Sequence, residues 1–185
     1  MSVSAAVQAA IEAGDASALR RVLAESPARA NELIRWGGDG KNVTHPLHYI
    51  RDKRFDKTIS EDDALVLIDA LIEGGSDVDG HAENRETPLH GAASLGAEDV
   101  GMRLIEAGAR ANALGGFGET PLHWAAHQGL DRLVVRLIAA GADLDIIKDR
   151  RWNATPLGWM QHGLAERLPG SGRGHDKVIA LLGGS

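Results

Sequence analysis

His123 and His127 stand four residues apart. On a helix that spacing puts two imidazoles on one face, where they can share a metal ion. A hydrolytic metal helix also needs a glutamate beside the first histidine as general base. Trp124 fills that place instead. The acidic pairs Asp62-Asp63 and Asp143/Asp145 have the residue types of an acid and a base. Each falls where a helix start or a turn uses a carboxylate structurally. Gly115-Gly116-Phe117-Gly118 has glycines enough to cradle a phosphate but lacks the Lys-Ser/Thr that would hold it. No serine sits in a nucleophile-elbow pattern. The chain has no cysteine, which excludes disulfides, thiolate nucleophiles and thiolate zinc sites. The residues capable of chemistry therefore assemble no catalytic set, no cofactor site and no metal site, and the reading is a non-enzyme.

The chain as a whole is ordinary for a folded protein: 185 residues, 43% hydrophobic, 25% charged. Aromatics are only 4%, so the apolar mass is Ala, Leu, Val and Ile, which suits closely packed helices. The net charge of −6 and the lack of a basic stripe argue against a nucleic-acid partner. No apolar run is long enough to span a bilayer, and no signal peptide opens the chain, so neither membrane association nor export is expected. The expected location is cytoplasmic.

The elements that position these residues are revealed by a repeat. Thr87-Pro88-Leu89-His90-Gly91-Ala92-Ala93 returns as Thr120-Pro121-Leu122-His123-Trp124-Ala125-Ala126, 33 residues later. The same offset relates Gly96 to Gly129, Leu104 to Leu137, Ile105 to Ile138 and Gly108 to Gly141. Upstream, His45-Pro46-Leu47-His48 opens a copy lengthened by a charged stretch, Arg51 to Ser60. Downstream, Thr155-Pro156-Leu157-Gly158 opens one lengthened by the Gly/Pro-rich stretch Leu164 to Gly174. Residues Ala5 to Asn31 follow the same rhythm without the Thr-Pro start.

Each copy reads as a helix pair. The threonines suit N-caps, Pro suits the first helical position and Gly96 and Gly129 suit left-handed C-terminal stops. Val100, Leu104 and Ile105, like Leu133, Val134, Leu137 and Ile138, recur at helical spacing in a second helix. Ser60 and Asp63 form a capping-box pattern. Between pairs lie polar segments of turn composition: Asp77 to Glu86, Arg110 to Glu119, Asp143 to Ala154. One pair cannot bury its own apolar face, so neighbours must stack.

Thr-Pro-Leu-His-x-Ala-Ala, then Gly, then Leu-Ile-x-x-Gly-Ala at this period resembles the ankyrin repeat. The resemblance implies an all-α solenoid of stacked helix-turn-helix units joined by β-turn or hairpin fingers, with atypical ends. It divides a single domain, 1–185, into a degenerate first repeat (4–35), a repeat with an insertion at 51–60 (36–76), repeats at 77–109 and 110–142, and a last repeat with an insertion at 164–174 (143–185). It also implies that His48, His90 and His123 bridge loops by hydrogen bonds, and that a partner protein docks on a concave surface of fingers and first helices. Carried onto this chain, the finger positions are Lys41, Asn42, Thr44, Glu83, Asn84, Glu86, Phe117, Glu119, Arg151 and Trp152. The ends of the first helices add Ser94, Leu95, His127, Gln128 and His162.

Phe117 and Trp152 are large rings in turns that do not need them, as interface anchors are. Trp124 and Trp159 share a repeat position and are read as packing between units, and Trp36 as packing in the cap. The two insertions are read as surface loops on the rim away from the fingers, placed to help select a partner. The expectation is thus a monomeric, stand-alone adaptor, inhibitor or regulator. Its Ala-, Gly- and Arg-rich composition leans bacterial. The alternatives are a metal-binding or hydrolytic protein built on surface histidines and a self-associating structural element.

Overall fold

The computed structural model describes residues 3–37, 41–80, 85–147, 151, 153–166 and 174–183. The chain divides into two compact units, Met1–Pro88 and Leu89–Ser185.

In the first unit, α1 (Val3–Glu12) and α2 (Ala16–Glu25) form a pair, and a 3-10 turn (Pro27–Asn31) leads to β1 (Ile34–Trp36). That strand pairs antiparallel with β2 (Asn42–Thr44), Ile34 opposite Thr44 and Trp36 opposite Asn42. The second pair is α3 (Pro46–Phe55) and α4 (Glu61–Glu73). First helix packs on first helix, α1 on α3, and second on second, α2 on α4. The buried apolar residues of these helices include Val7, Ile11, Leu19, Leu23, Leu67, Ile68 and Leu71.

The second unit carries α5 (Pro88–Ser94, starting at the boundary), α6 (Glu98–Glu106), α7 (Pro121–Gln128), α8 (Asp131–Ala139), α9 (Pro156–Glu166) and α10 (His175–Leu182). The same two layers recur: α7 packs on α9, while α8 packs on α6 and α10. Leu89, Ala92, Ala93, Leu122, Ala125 and Ala126 are all 0% exposed, so the small residues permit the close approach expected of them. Gly96 and Gly129 end their helices at φ 72, where an L side chain would be strained. The fold is the all-α repeat read from the sequence, and among the described residues its two-stranded sheet lies in the first finger.

The capping differs in detail from the sequence reading. Thr155 behaves as expected: its hydroxyl accepts the Gly158 N–H at 3.2 Å. At Thr120 the cap is a reciprocal box: the Thr120 side chain takes the His123 N–H, and the Thr120 N–H donates to His123 Nδ1 at 3.0 Å. His45, in place of threonine, accepts the Leu47 N–H on its own Nδ1 at 3.4 Å.

The insertions also differ. Arg51–Phe55 is no surface loop. It extends α3 to ten residues, against seven in α5 and eight in α7. The charges that suggested a loop are matched along the helix and its turn: Lys53 pairs with Asp56 at 2.9 Å and Arg54 with Glu61 at 3.1 Å. Ser60 and Asp63 then form the capping box that starts α4. At the second insertion, 164–166 belong to α9, and 167–173 lie outside the described residues. The chain re-enters at Gly174, φ 89, so close to α7 that an added Cβ would sit 2.0 Å from the Gly129 carbonyl oxygen. His175 follows, buried, its Nε2 3.2 Å from the His127 carbonyl oxygen.

Candidate partner-binding surface

Histidines hold the turns to the first helices. His48 Nε2 lies 2.9 Å from the Glu86 carbonyl oxygen, His90 Nε2 3.3 Å from that of Glu119, and His123 Nε2 3.2 Å from that of Ala154. Each carbonyl belongs to the residue just before the next threonine, so each ring ties one helix to the turn that opens the following pair. His123 accepts the Thr120 N–H on Nδ1, which requires Nε2 to carry the proton and donate to Ala154. With both nitrogens engaged, His123 has no lone pair left for a metal, and the His123/His127 pairing fails as a metal site for that reason. Among the described residues no group of three or more His, Asp or Glu is placed to hold an ion.

His48 is 0% exposed, and burial, followed by the nearby Arg51 and His45 charges, pulls its pKa down to about 3. It is therefore a neutral structural donor across the ordinary pH range.

The finger turns repeat a backbone rule. The residue two before each threonine is left-handed: Arg85 (φ 65), Gly118 (φ 86) and Asn153 (φ 51). In the turn before α7, Gly118 N–H donates to the Gly115 carbonyl at 3.1 Å and Gly115 N–H to the Glu119 carbonyl at 2.8 Å. The Glu119 carboxylate folds back over Gly115 and accepts the Phe117 N–H at 2.9 Å. Glu119 is thus wholly buried, and it fixes the loop that leaves Phe117 55% exposed.

A family model for ankyrin repeats, three copies, matches residues 58–148. This chain is an ankyrin-repeat protein. The match begins just before α4 and runs beyond α8, leaving α1 to α3 and α9 and α10 outside it. No curated protein matches the chain. Ankyrin repeats generally mediate protein–protein interactions, and no helix among the described residues is long and apolar enough to cross a membrane.

The described residues assigned to partner contact fall into three groups in this ankyrin protein. Lys41 and Asn42 in the first unit, and Phe117, Arg151 and His162 in the second, are exposed. Ser94, Leu95, His127 and Gln128 are half-buried, and Gln128 Nε2 donates to the Ser94 carbonyl at 2.6 Å, joining the ends of α5 and α7. Glu86 is half-buried, 4.0 Å from Arg51. Thr44 and Glu119 are buried, a correction to their reading as surface contacts: one is held in the β-pair and the other in the turn lock. Glu83, Asn84 and Trp152 lie outside the described residues.

Trp124 and Trp159 pack together as read. Trp159 is 0% exposed and meets half-buried Trp124 edge-on, ring centres 5.0 Å apart. His127 joins the cluster at 6.1 Å from Trp124, and the Arg151 guanidinium lies 6.0 Å over the Trp124 ring. Sequence reading missed Leu114 and Ile147, exposed at 41% and 52%. They are 33 apart, at the same place in successive turns, and an apolar residue recurring in a polar turn was the signal available.

Proposed function

We propose that this ankyrin-repeat protein is a non-enzymatic module that binds a partner protein through its finger turns and first helices, as an adaptor, inhibitor or regulator. The observation that carries the reading is Phe117. A large ring stands in solvent at the apex of a turn whose conformation is set by other residues, Gly115, Gly118 and Glu119. Folding does not use that ring, and exposed aromatic residues with arginine are the usual anchors of interfaces. Exposed Leu114 and Ile147, at matching places in successive turns, and Arg151 over Trp124 add apolar and cationic side chains in the same unit.

The experiment is affinity capture by the wild-type chain beside a Phe117→Ala/Arg151→Ala variant and a Val135→Asp control on the opposite helix layer. The partner should be captured by wild type and control, with at least a tenfold loss for the double variant, about 1.4 kcal/mol. Equal capture by all three chains would refute the surface.

A further inference from the structure

A cleft of about 380 Å³ opens in the first unit, where α2 and α4 end side by side. Its apolar lining is Leu23, Ala24 and Pro27 on one side and Ala70 on the other. Leu23 and Ala70 are buried while Ala24 and Pro27 are exposed, so the lining runs from the core out to solvent. A Cβ on Gly74 would lie 2.5 Å from the Leu23 side chain, so the missing side chain lets the end of α4 rest on α2. The two walls are tied together. Asn31 donates its amide to the Gly75 carbonyl at 3.0 Å and accepts the Asp77 N–H at 2.6 Å, and the Ser76 hydroxyl donates to the Ala30 carbonyl at 3.0 Å. The cleft is thus preformed, as ligand sites are.

Its electrostatics are one-sided. Two helices end at it, and a helix C-terminus carries about half a negative charge. Neither helix has a basic residue in its last turn, and each has an acid there instead, Glu25 in α2 and Glu73 in α4. Asp69, a turn before Glu73, adds a third carboxylate that acts on Arg20. Against these stand two guanidiniums: Arg20, paired with Glu73 at 2.9 Å, and Arg29, 3.7 Å from Glu25. Arg21, the other cation of α2, does not line the cleft. Three carboxylates and two helix ends outweigh two cations, so a negative rim stands above an apolar floor.

We propose that this cleft takes the side chain of a lysine presented by a partner protein. The four-carbon stem lies on Leu23, Ala24, Pro27 and Ala70, and the ammonium stays at the solvent edge beside Glu73 and the helix ends, as long basic side chains do. A carboxylate would be repelled by that rim, and a purely aliphatic chain would leave its charge unanswered. None of the lining residues belongs to the finger surface, so the inference stands or fails separately from the proposed function.

The probe is N-acetyl-lysine methylamide, followed through the backbone amide shifts of the 185-residue chain. Saturable shifts are expected at Leu23, Ala24, Glu73, Gly74 and Gly75, in the millimolar range of a single side chain. N-acetyl-norleucine methylamide has the same stem without the ammonium and should bind about fivefold more weakly, as should the lysine probe to Glu73→Gln. Ala24→Phe, which fills the cleft from its exposed side, should abolish the shifts in a chain still folded by circular dichroism. Asp62→Asn removes an equal charge at the other end of α4 and should leave the affinity unchanged. Absence of saturable shifts at the cleft overturns the proposal. So does equal binding of the two probes, the mark of a cleft that is only apolar. Equal weakening by Glu73→Gln and Asp62→Asn overturns it as well, since overall charge would then be the cause.

Discussion

His48 shows how one side chain makes this fold depend on pH. Its folded pKa, about 3, is depressed below the ordinary 6.5 because the buried ring resists charging. A depressed histidine contributes stability that is complete above pH 6.5 and is lost as pH falls toward 3, since the unfolded chain takes the proton first. One proton corresponds to a slope of about 1.4 kcal/mol per pH unit in that window. Denaturant titrations should therefore show wild type losing stability more steeply than His48→Gln between those limits, by about that slope. Parallel curves would mean that another group governs the response. Arg85 gives a second residue-scale test. A non-glycine residue in the left-handed region costs about 1–2 kcal/mol, and glycine's larger unfolded entropy costs about 0.4–1 kcal/mol. Arg85→Gly should thus raise stability by about 0.5–1 kcal/mol, while Asn153→Gly should change little, because asparagine tolerates this region. Both read out as a shift in urea midpoint.

At the scale of the element, the extended α3 braces the first finger. Lys53, only 14% exposed, sits 5.5 Å over Trp36 and 5.3 Å over Tyr49. Trp36 meets Tyr49 edge-on at 5.9 Å, and the Tyr49 hydroxyl donates to Glu12 on α1. That bond, with Gln8 second, lowers the Glu12 pKa, while burial and then the same bond push the Tyr49 phenol up. Lys53→Ala should cost about 1–2 kcal/mol, chiefly from a cation held between two rings. The measurement is a double-mutant cycle with Trp36→Phe, and zero coupling would sink the bracing role. The helix pairs were legible in the sequence because Thr-Pro starts, Gly stops and apolar spacing are local signals. The bracing was not. Lys53 reads as a loop charge until Trp36 and Tyr49, remote from it or a turn away, are placed beneath it. Glu119 was misjudged for a similar reason: in a polar turn a carboxylate reads as exposed, and only the fold shows it turned back on Gly115. Phe117 and Trp159 were legible, one as a ring no turn requires, the other as a residue sharing the repeat position of Trp124.

At the scale of the whole molecule, charge divides as the fold does. Residues 1–88 carry ten cationic and sixteen anionic side chains, a net −6, while 89–185 carry ten of each. Five of the acids crowd one helix, α4: Glu61, Asp62, Asp63, Asp69 and Glu73. The Arg20–Glu73 pair, at 2.9 Å, is solvent-exposed and offsets little of this. Self-repulsion of an excess charge destabilises a compact state and is relieved by salt. Raising ionic strength from about 0.01 M to about 1 M shortens the screening length from about 30 Å to about 3 Å. The first unit should respond and the second should not. Hydrogen exchange in the two salts resolves them within one chain: amides of α3 and α4 should gain protection with salt, while those of α7 and α8 should hold steady. A uniform gain along the chain would point to a general salting effect and would remove charge imbalance as the cause.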